Sequence, residues 1–420
     1  MKKLLSTLII AAFLLPNFVD AARLWSSGAE LNSVTTGGVE FFVTSGAGCT
    51  VESTGQRSGT YGMKCTSAAS TRQGFVHQFA SAANAGPFYA RVYLYVDTLP
   101  NANNGIMAFS ESATISGAFR VGLYMESDGQ LVLFEDAATA IGSPSTALNT
   151  GQWYMIELLV NNVGGAGGGN DEIRAYIDGV EFAGTNAATV SANYLAFKWG
   201  SNLLNSGSVS AGTFFYDDVA INDSTGSAQT SRPGSGKIVH CRPNAAGDSA
   251  ATSGLFSDVD EVTPNDATDF IHLDTDGGMT AEYNIDDAST CGIDSYDAIS
   301  AVLIGTRQRA ETAAAMAWVP RFKTTSGTYE GTSTTHDDTT WRTNGDAVPT
   351  YNYKAATTTD ADGTALTPLD IDSAQIGVRT TDSNPDSHFS AIWALVEFTD
   401  GTPPASGDAV DVGTFYWGDS

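Results

Sequence analysis

The chain has 420 residues and a formal net charge of −27. So acidic a balance excludes a nucleic-acid binder, which must present basic patches to phosphate. About 400 residues exceed what one sandwich core needs and suit two domains. Gly, Ser, Thr and Ala are abundant and only 16% of residues are charged, which is the composition of strands joined by turns. The expected fold class is all-β, with two β-sandwich domains.

The N-terminus reads Met1-Lys2-Lys3, an apolar run from Leu4 to Leu15, then Pro16 and Val19-Asp20-Ala21. Two lysines, a short apolar stretch and small residues before a cut describe a signal peptide over 1–21. The run is too short to span a bilayer comfortably, so no membrane span is expected in the mature chain. The protein is therefore expected to be secreted or held at a cell surface.

A first domain is expected over 22–222. Strand signals recur through it with turns between them. They include Phe88 to Val96, Phe119 to Met125, Gln130 to Phe134, Trp153 to Val160, Glu172 to Ile177 and Phe214 to Ile221. Asp128-Gly129 and Asp178-Gly179 mark hairpins. Residues 223–237, DSTGSAQTSRPGSGK, read as a polar linker that few contacts cross. A second β-sandwich domain is expected over 238–400, with strand candidates such as Phe270 to Leu273, Ala298 to Gln308 and Ser390 to Phe398. Residues 401–420 form a tail or closing strand.

The four cysteines fall as two pairs, one in each half. In an exported protein this suggests Cys49–Cys65 and Cys241–Cys291 disulfides. Sequence leaves the other two pairings open.

Four blocks recur in order through the first half: Arg57-Ser58-Gly59-Thr60-Tyr61-Gly62-Met63-Lys64-Cys65, Gly151 to Glu157, Ile173 to Gly179, and Phe215 to Ile221. In these blocks, over about residues 24–222, the chain resembles the laminin-G-like, concanavalin A-like jelly rolls. The resemblance implies a two-sheet sandwich with glycan or protein ligands, without implying catalysis. It also implies Ca²⁺ near Asp217 or Asp218, because a carboxylate turned inward from a strand needs a partner. One of the two must face away from the other on a regular strand. Through Asp274-Thr275-Asp276-Gly277-Gly278 and Gln375 to Arg379, the second half resembles β-rich structural domains of bacteriophage virion proteins.

Catalytic patterns are sparse. The Glu-x-Asp-x-x-Glu run of sandwich glycoside hydrolases does not occur. Nor do Gly-x-Ser-x-Gly or His-Glu-x-x-His. A polysaccharide lyase needs a base with Arg to hold a uronate, and His77, Arg91 and Tyr93 are the candidates for converging in one cleft. Their ordinary reading is strand packing. For glycan binding, aromatic faces that stack on sugars are the usual device. Tyr194, Trp199, Trp341 and Tyr351 lie in loop-like surroundings and are the candidates.

The leading expectation is a non-catalytic, exported binding or adhesion protein for glycans or a surface partner. The alternatives are a structural component of a virion or appendage, and a secreted polysaccharide lyase or hydrolase.

Overall fold

The computed structural model describes residues 22–34, 40–41, 43–45, 48–67, 71–83, 87–136, 139–162, 166–190, 193–203, 210–274, 277–336, 339–343, 356–381 and 386–402. The expected signal peptide, Tyr351 and the tail beyond residue 402 lie outside them. The described fold is all-β, in four antiparallel sheets. Its helices are a turn of 3₁₀ at Phe256–Asp258 and one short α-helix, Pro368–Asp372. No helix among the described residues is long and apolar enough to cross a membrane.

Sheet I has the hydrogen-bonded order Val180–Ala188, Asp171–Ile177, Trp153–Asn161, Pro87–Thr98, Gly212–Asn222, Gly62–Ser67, Cys49–Glu52, and Arg23–Ser27 also pairs with Gly212–Asn222. Sheet II runs Thr139–Ile141, Leu131–Glu135, Phe119–Met125, Asn104–Ser110, Tyr194–Ser201, Gln73–Ala83, Val43–Ser45. Most of the central strands are buried along nearly their whole length, as Asn104–Ser110 and Trp153–Asn161 show. Val92, Leu94 and Val96 of sheet I and Phe75, Phe109 and Trp199 of sheet II share one buried cluster between the sheets. This is the first sandwich.

Sheet III has the order Lys237–Cys241, Ser387–Thr399, Ala298–Ala310, Arg342–Thr343, with Ile271–Leu273 on Ser387–Thr399 and Ala356–Thr357 on Ala298–Ala310. Sheet IV runs Pro243–Ala246, Thr280–Ile285, Gln375–Thr380, Met316–Thr324, Gly327–Glu330, with Thr334–His336 on Met316–Thr324. Val302, Ile304, Ala394 and Val396 of sheet III meet Ile376, Val378, Trp318 and Phe322 of sheet IV in a second buried cluster.

Sheet III is buried on both faces where it adjoins the first sandwich. Ile238, Ala301, Leu303, Ala391, Trp393 and Leu395 alternate with the residues just named, and they belong to the cluster of the first sandwich. Gly305 makes room for this seam, because a Cβ there would lie 2.0 Å from the Trp393 indole. A strand buried on both sides reads as an unbroken apolar run, as Ser387–Thr399 does.

The structure pairs Cys49 with Cys65 and Cys241 with Cys291. Each bond closes within its own sandwich. Such bonds persist in an oxidising environment.

Candidate functional site

Polar groups tie the two sandwiches together along the seam. Glu397 accepts a hydrogen bond from Arg91 at 2.6 Å and a second from Arg23, and all three side chains are buried. Burial acts against ionisation, but the two guanidiniums outweigh it and hold the Glu397 carboxyl below the usual carboxylate range. Arg232 and the Gly234 amide both donate to Glu157, at 2.6 and 3.0 Å. Arg91 also donates to the Gly234 carbonyl, and the Gly236 amide donates to the Tyr93 hydroxyl. The polar segment after residue 222 is thus bound along sheet I, contrary to the expectation that few contacts cross it. Its composition is that of a linker, yet buried charges on sheet I satisfy its backbone.

Asp217 and Asp218 belong to the same seam. A register shift falls between Asp217 and Ala220, and Asp218 has a left-handed backbone with φ of 49°. This β-bulge breaks the alternation expected of a regular strand, so both carboxylates reach the same loop. Asp217 accepts the amides of Arg57, Ser58 and Asp218. Asp218 accepts from the Ser58 hydroxyl, the Ile238 amide and the Arg57 guanidinium at 2.5–2.6 Å. Burial and the adjacent Asp218 push the Asp217 carboxyl well up. Every carboxylate oxygen already faces a protein donor, and Arg57 supplies the positive charge beside Asp218. These residues do not fit Ca²⁺. Among the described residues no cluster of three or more metal-ligating side chains occurs.

The lyase candidates do not meet. His77 lies on sheet II between Phe75 and Phe79 in the first core and stacks on Trp25, ring centroids 4.7 Å apart. Arg91 and Tyr93 alternate with core-facing Val92 on sheet I and turn to the seam. Sheet I therefore stands between His77 and the other two.

The aromatic candidates divide. Tyr194 and Trp199 sit on strand Tyr194–Ser201 and are buried in the first core, Trp199 among Phe75, Phe197 and Trp25. Their loop-like surroundings were misleading, because small residues flank a fully buried strand. Trp341 is partly exposed, beside the edge strand Arg342–Thr343 of sheet III.

Trp341 is part of an ordered row. Register places His272 opposite His388, and His388 opposite Arg309. Gln308 lies opposite Arg342, so Trp341 comes next to Arg309. The row crosses four adjacent strands of sheet III. Ile271, Leu273, Phe389 and Ala310 point to the second core, so the row occupies the other face. The Arg309 guanidinium carbon lies 4.9 Å from the Trp341 ring centroid and 5.5 Å from that of Phe270. Phe270 in turn lies 4.9 Å from the His388 ring and 5.9 Å from Trp341. His272 Nε2 donates to Asp386 at 2.7 Å, and Arg309 Nε donates to His388 Nδ1 at 3.2 Å. Burial, then the neighbouring Arg309 and His272, lower the His388 imidazole to about 4. His388 is therefore neutral near pH 7, with its proton on Nε2. Sequence reasoning missed His272, His388 and Arg309. Each alternates with core-facing residues, which puts it on the outer face, but only strand pairing brings the three together.

A cleft of about 180 Å³ lies at the seam, lined by Arg57, Ser235, Gly236, Lys237, Phe398, Thr399 and Asp400. It is smaller than usual ligand pockets. Its cations are engaged, Arg57 with Asp218 and Lys237 with Asp400.

No family model and no curated protein matches this sequence. The laminin-G-like resemblance therefore rests on the sequence blocks alone. Partial likenesses exist among solved structures. The cellulose-induced protein Cip1 matches with a TM-score of 0.34 and 14% identity, over 51% of this chain and 94% of that one. A Trypanosoma rangeli sialidase complexed with 2,3-difluorosialic acid matches at 0.32 and 17%, over 53% of this chain and 36% of that one. A family 7 alginate lyase A1-II′ in complex with substrate matches at 0.32 and 13%, over 43% and 82%. Likenesses of this degree carry no argument about function.

Proposed function

We propose that this is an exported, non-catalytic binding protein that recognises glycans, with its ligand surface on the second sandwich. The observation that carries the reading is the partly exposed row on sheet III, where Trp341 and Phe270 flank an arginine. Partly exposed aromatic faces beside fixed donors suit sugar rings, whose C–H faces stack and whose hydroxyls need partners. The burial of Tyr194 and Trp199 moves the expected ligand surface away from the first sandwich. The separation of His77 from Arg91 and Tyr93 favours binding over the lyase alternative. Two disulfides fit export into an oxidising environment. A glycan array probed with the mature protein tests the reading, and Trp341→Ala should reduce the signal on every spot that binds.

A role as a structural part of a virion or appendage is the second reading. The buried seam favours it, since two sandwiches held as one block suit assembly. Concentration-dependent light scattering by the mature protein, with an empty glycan array, would select it.

A further inference from the structure

Three places could hold a function beyond packing: the cleft beside Lys237, the buried Lys198 and the row on sheet III. The cleft's cations are already paired. Lys198 is enclosed, and its ammonium donates to the Ser110 hydroxyl and the Thr114 carbonyl, both at 2.6 Å. The row differs from both, because it is partly open and holds an arginine that forms no ion pair among the described residues.

The local charges can be counted. Arg307 stands on the same face as Arg309 and is held by Asp266, at 2.5–3.1 Å, and Ser390 also donates to that carboxylate. Asp386 accepts from His272 and forms no ion pair with Arg309. His388 is neutral near pH 7 and accepts from Arg309 through Nδ1. Arg309 has no carboxylate partner among the described residues. Its Nε is used by His388, which fixes the plane of the guanidinium and leaves the outer pair of nitrogens as a fork. That fork matches a carboxylate in two-point contact. Trp341 and Phe270 flank it, so a ring carrying the carboxylate would meet an apolar face.

We propose that the row His272–His388–Arg309–Trp341 is a subsite for a carboxylate-bearing sugar, with Arg309 as the anion contact and Trp341 as the stacking surface. The inference rests on the glycan-binding reading and names its ligand class. Arg309 and Trp341 act as specificity determinants. His388 is a positioning residue, because it touches the arginine and sets its plane.

The test is calorimetric titration of the mature full-length protein with three probes: a galacturonic acid trimer, its methyl ester and the neutral galactose trimer. The acid should bind more tightly than either uncharged probe. Arg309→Gln should weaken acid binding roughly 10–100-fold, the loss expected for charge-assisted hydrogen bonds. Its effect on the neutral trimer should be small. Trp341→Ala should weaken all three probes by about tenfold. Arg174→Gln, on the first sandwich, is the control, and melting curves establish that each variant is folded. Equal binding of acid and ester, or acid binding untouched by Arg309→Gln, would overturn the carboxylate subsite while leaving glycan recognition standing. Binding on the array to neutral glycans alone would do the same. An empty array together with no heat from any probe would overturn both.

Discussion

Arg91 and Glu397 lie 306 positions apart in sequence, yet their side chains share a buried hydrogen bond of 2.6 Å. Arg23 completes the arrangement from the other side of the carboxylate. Glu397→Gln would leave two guanidiniums buried against a neutral amide. Breaking a buried pair in this way costs about 3–5 kcal/mol. Urea unfolding followed by tryptophan fluorescence should show that loss. A cost below about 1 kcal/mol would mean that water reaches the seam.

The seam also bears on cooperativity. A calorimetric scan of the intact chain should give one transition rather than two, because Leu303, Trp393 and Leu395 are buried in the first sandwich's cluster. Residues 238–402 expressed alone should aggregate, with that face bared. Two separate transitions, and a soluble second fragment, would show that the sandwiches are independent.

Trp199 and Trp341 should separate stability from recognition. Trp199→Ala removes a fully buried indole and should cost about 3–5 kcal/mol. Trp341→Ala, at a sheet edge, should cost about 1 kcal/mol or less. Thermal melts of the two variants under one buffer decide the matter.

Buried acids set a pH dependence, Glu30 and Glu40 among them. Burial pushes the Glu30 carboxyl up from 4.5 to about 8, although the Thr60 and Tyr61 amides oppose the shift. Burial likewise raises Glu40 to about 7, opposed by the Ser27 hydroxyl. A raised carboxyl stabilises the fold fully below its unfolded value, and that contribution is lost as pH rises through the folded one. Melting temperature should therefore fall between pH 5 and 8. Lys198 works against this at the alkaline end. Burial lowers it from 10.5 to about 7, so its contribution is present above pH 10.5 and is lost as pH falls through about 7. The double variant Glu30→Gln, Glu40→Gln should make the profile between pH 5 and 8 shallower. An unchanged slope in the double variant would assign the dependence to other groups.

Metal should have no effect on the first sandwich. EDTA and millimolar Ca²⁺ should give superimposable melts, because the oxygens of Asp217 and Asp218 already face N–H and O–H donors. A rise in melting temperature that Asp217→Asn abolishes would restore the calcium site.

Much of the fold was legible in local pattern. Alternation marked the strand Pro87–Thr98, an apolar run marked Trp153–Asn161, and Asp178-Gly179 marked a hairpin. The composition of the 223–237 segment misled, because a polar backbone satisfied by buried Glu157 and Arg91 looks the same in sequence as one satisfied by water. Tyr194 and Trp199 misled for a related reason, since Ala196 and Gly200 beside them suggest a loop and in fact admit close packing. Trp341 was legible as a candidate surface aromatic. Its neighbours His272, Arg309 and His388 were not, because strand register is a long-range property that one strand's pattern does not carry.

The placement of Glu397 has a consequence for synthesis. Arg23 and Arg91 belong to the earliest strands made, and their acid arrives close to the end of the described chain. Until then both guanidiniums lack their carboxylate, beside an apolar face that awaits sheet III. A chain cut short at any point before this glutamate is left electrostatically unfinished at its centre rather than merely shorter at its edge. Closure of the seam therefore waits for strand Ser387–Thr399 to be made.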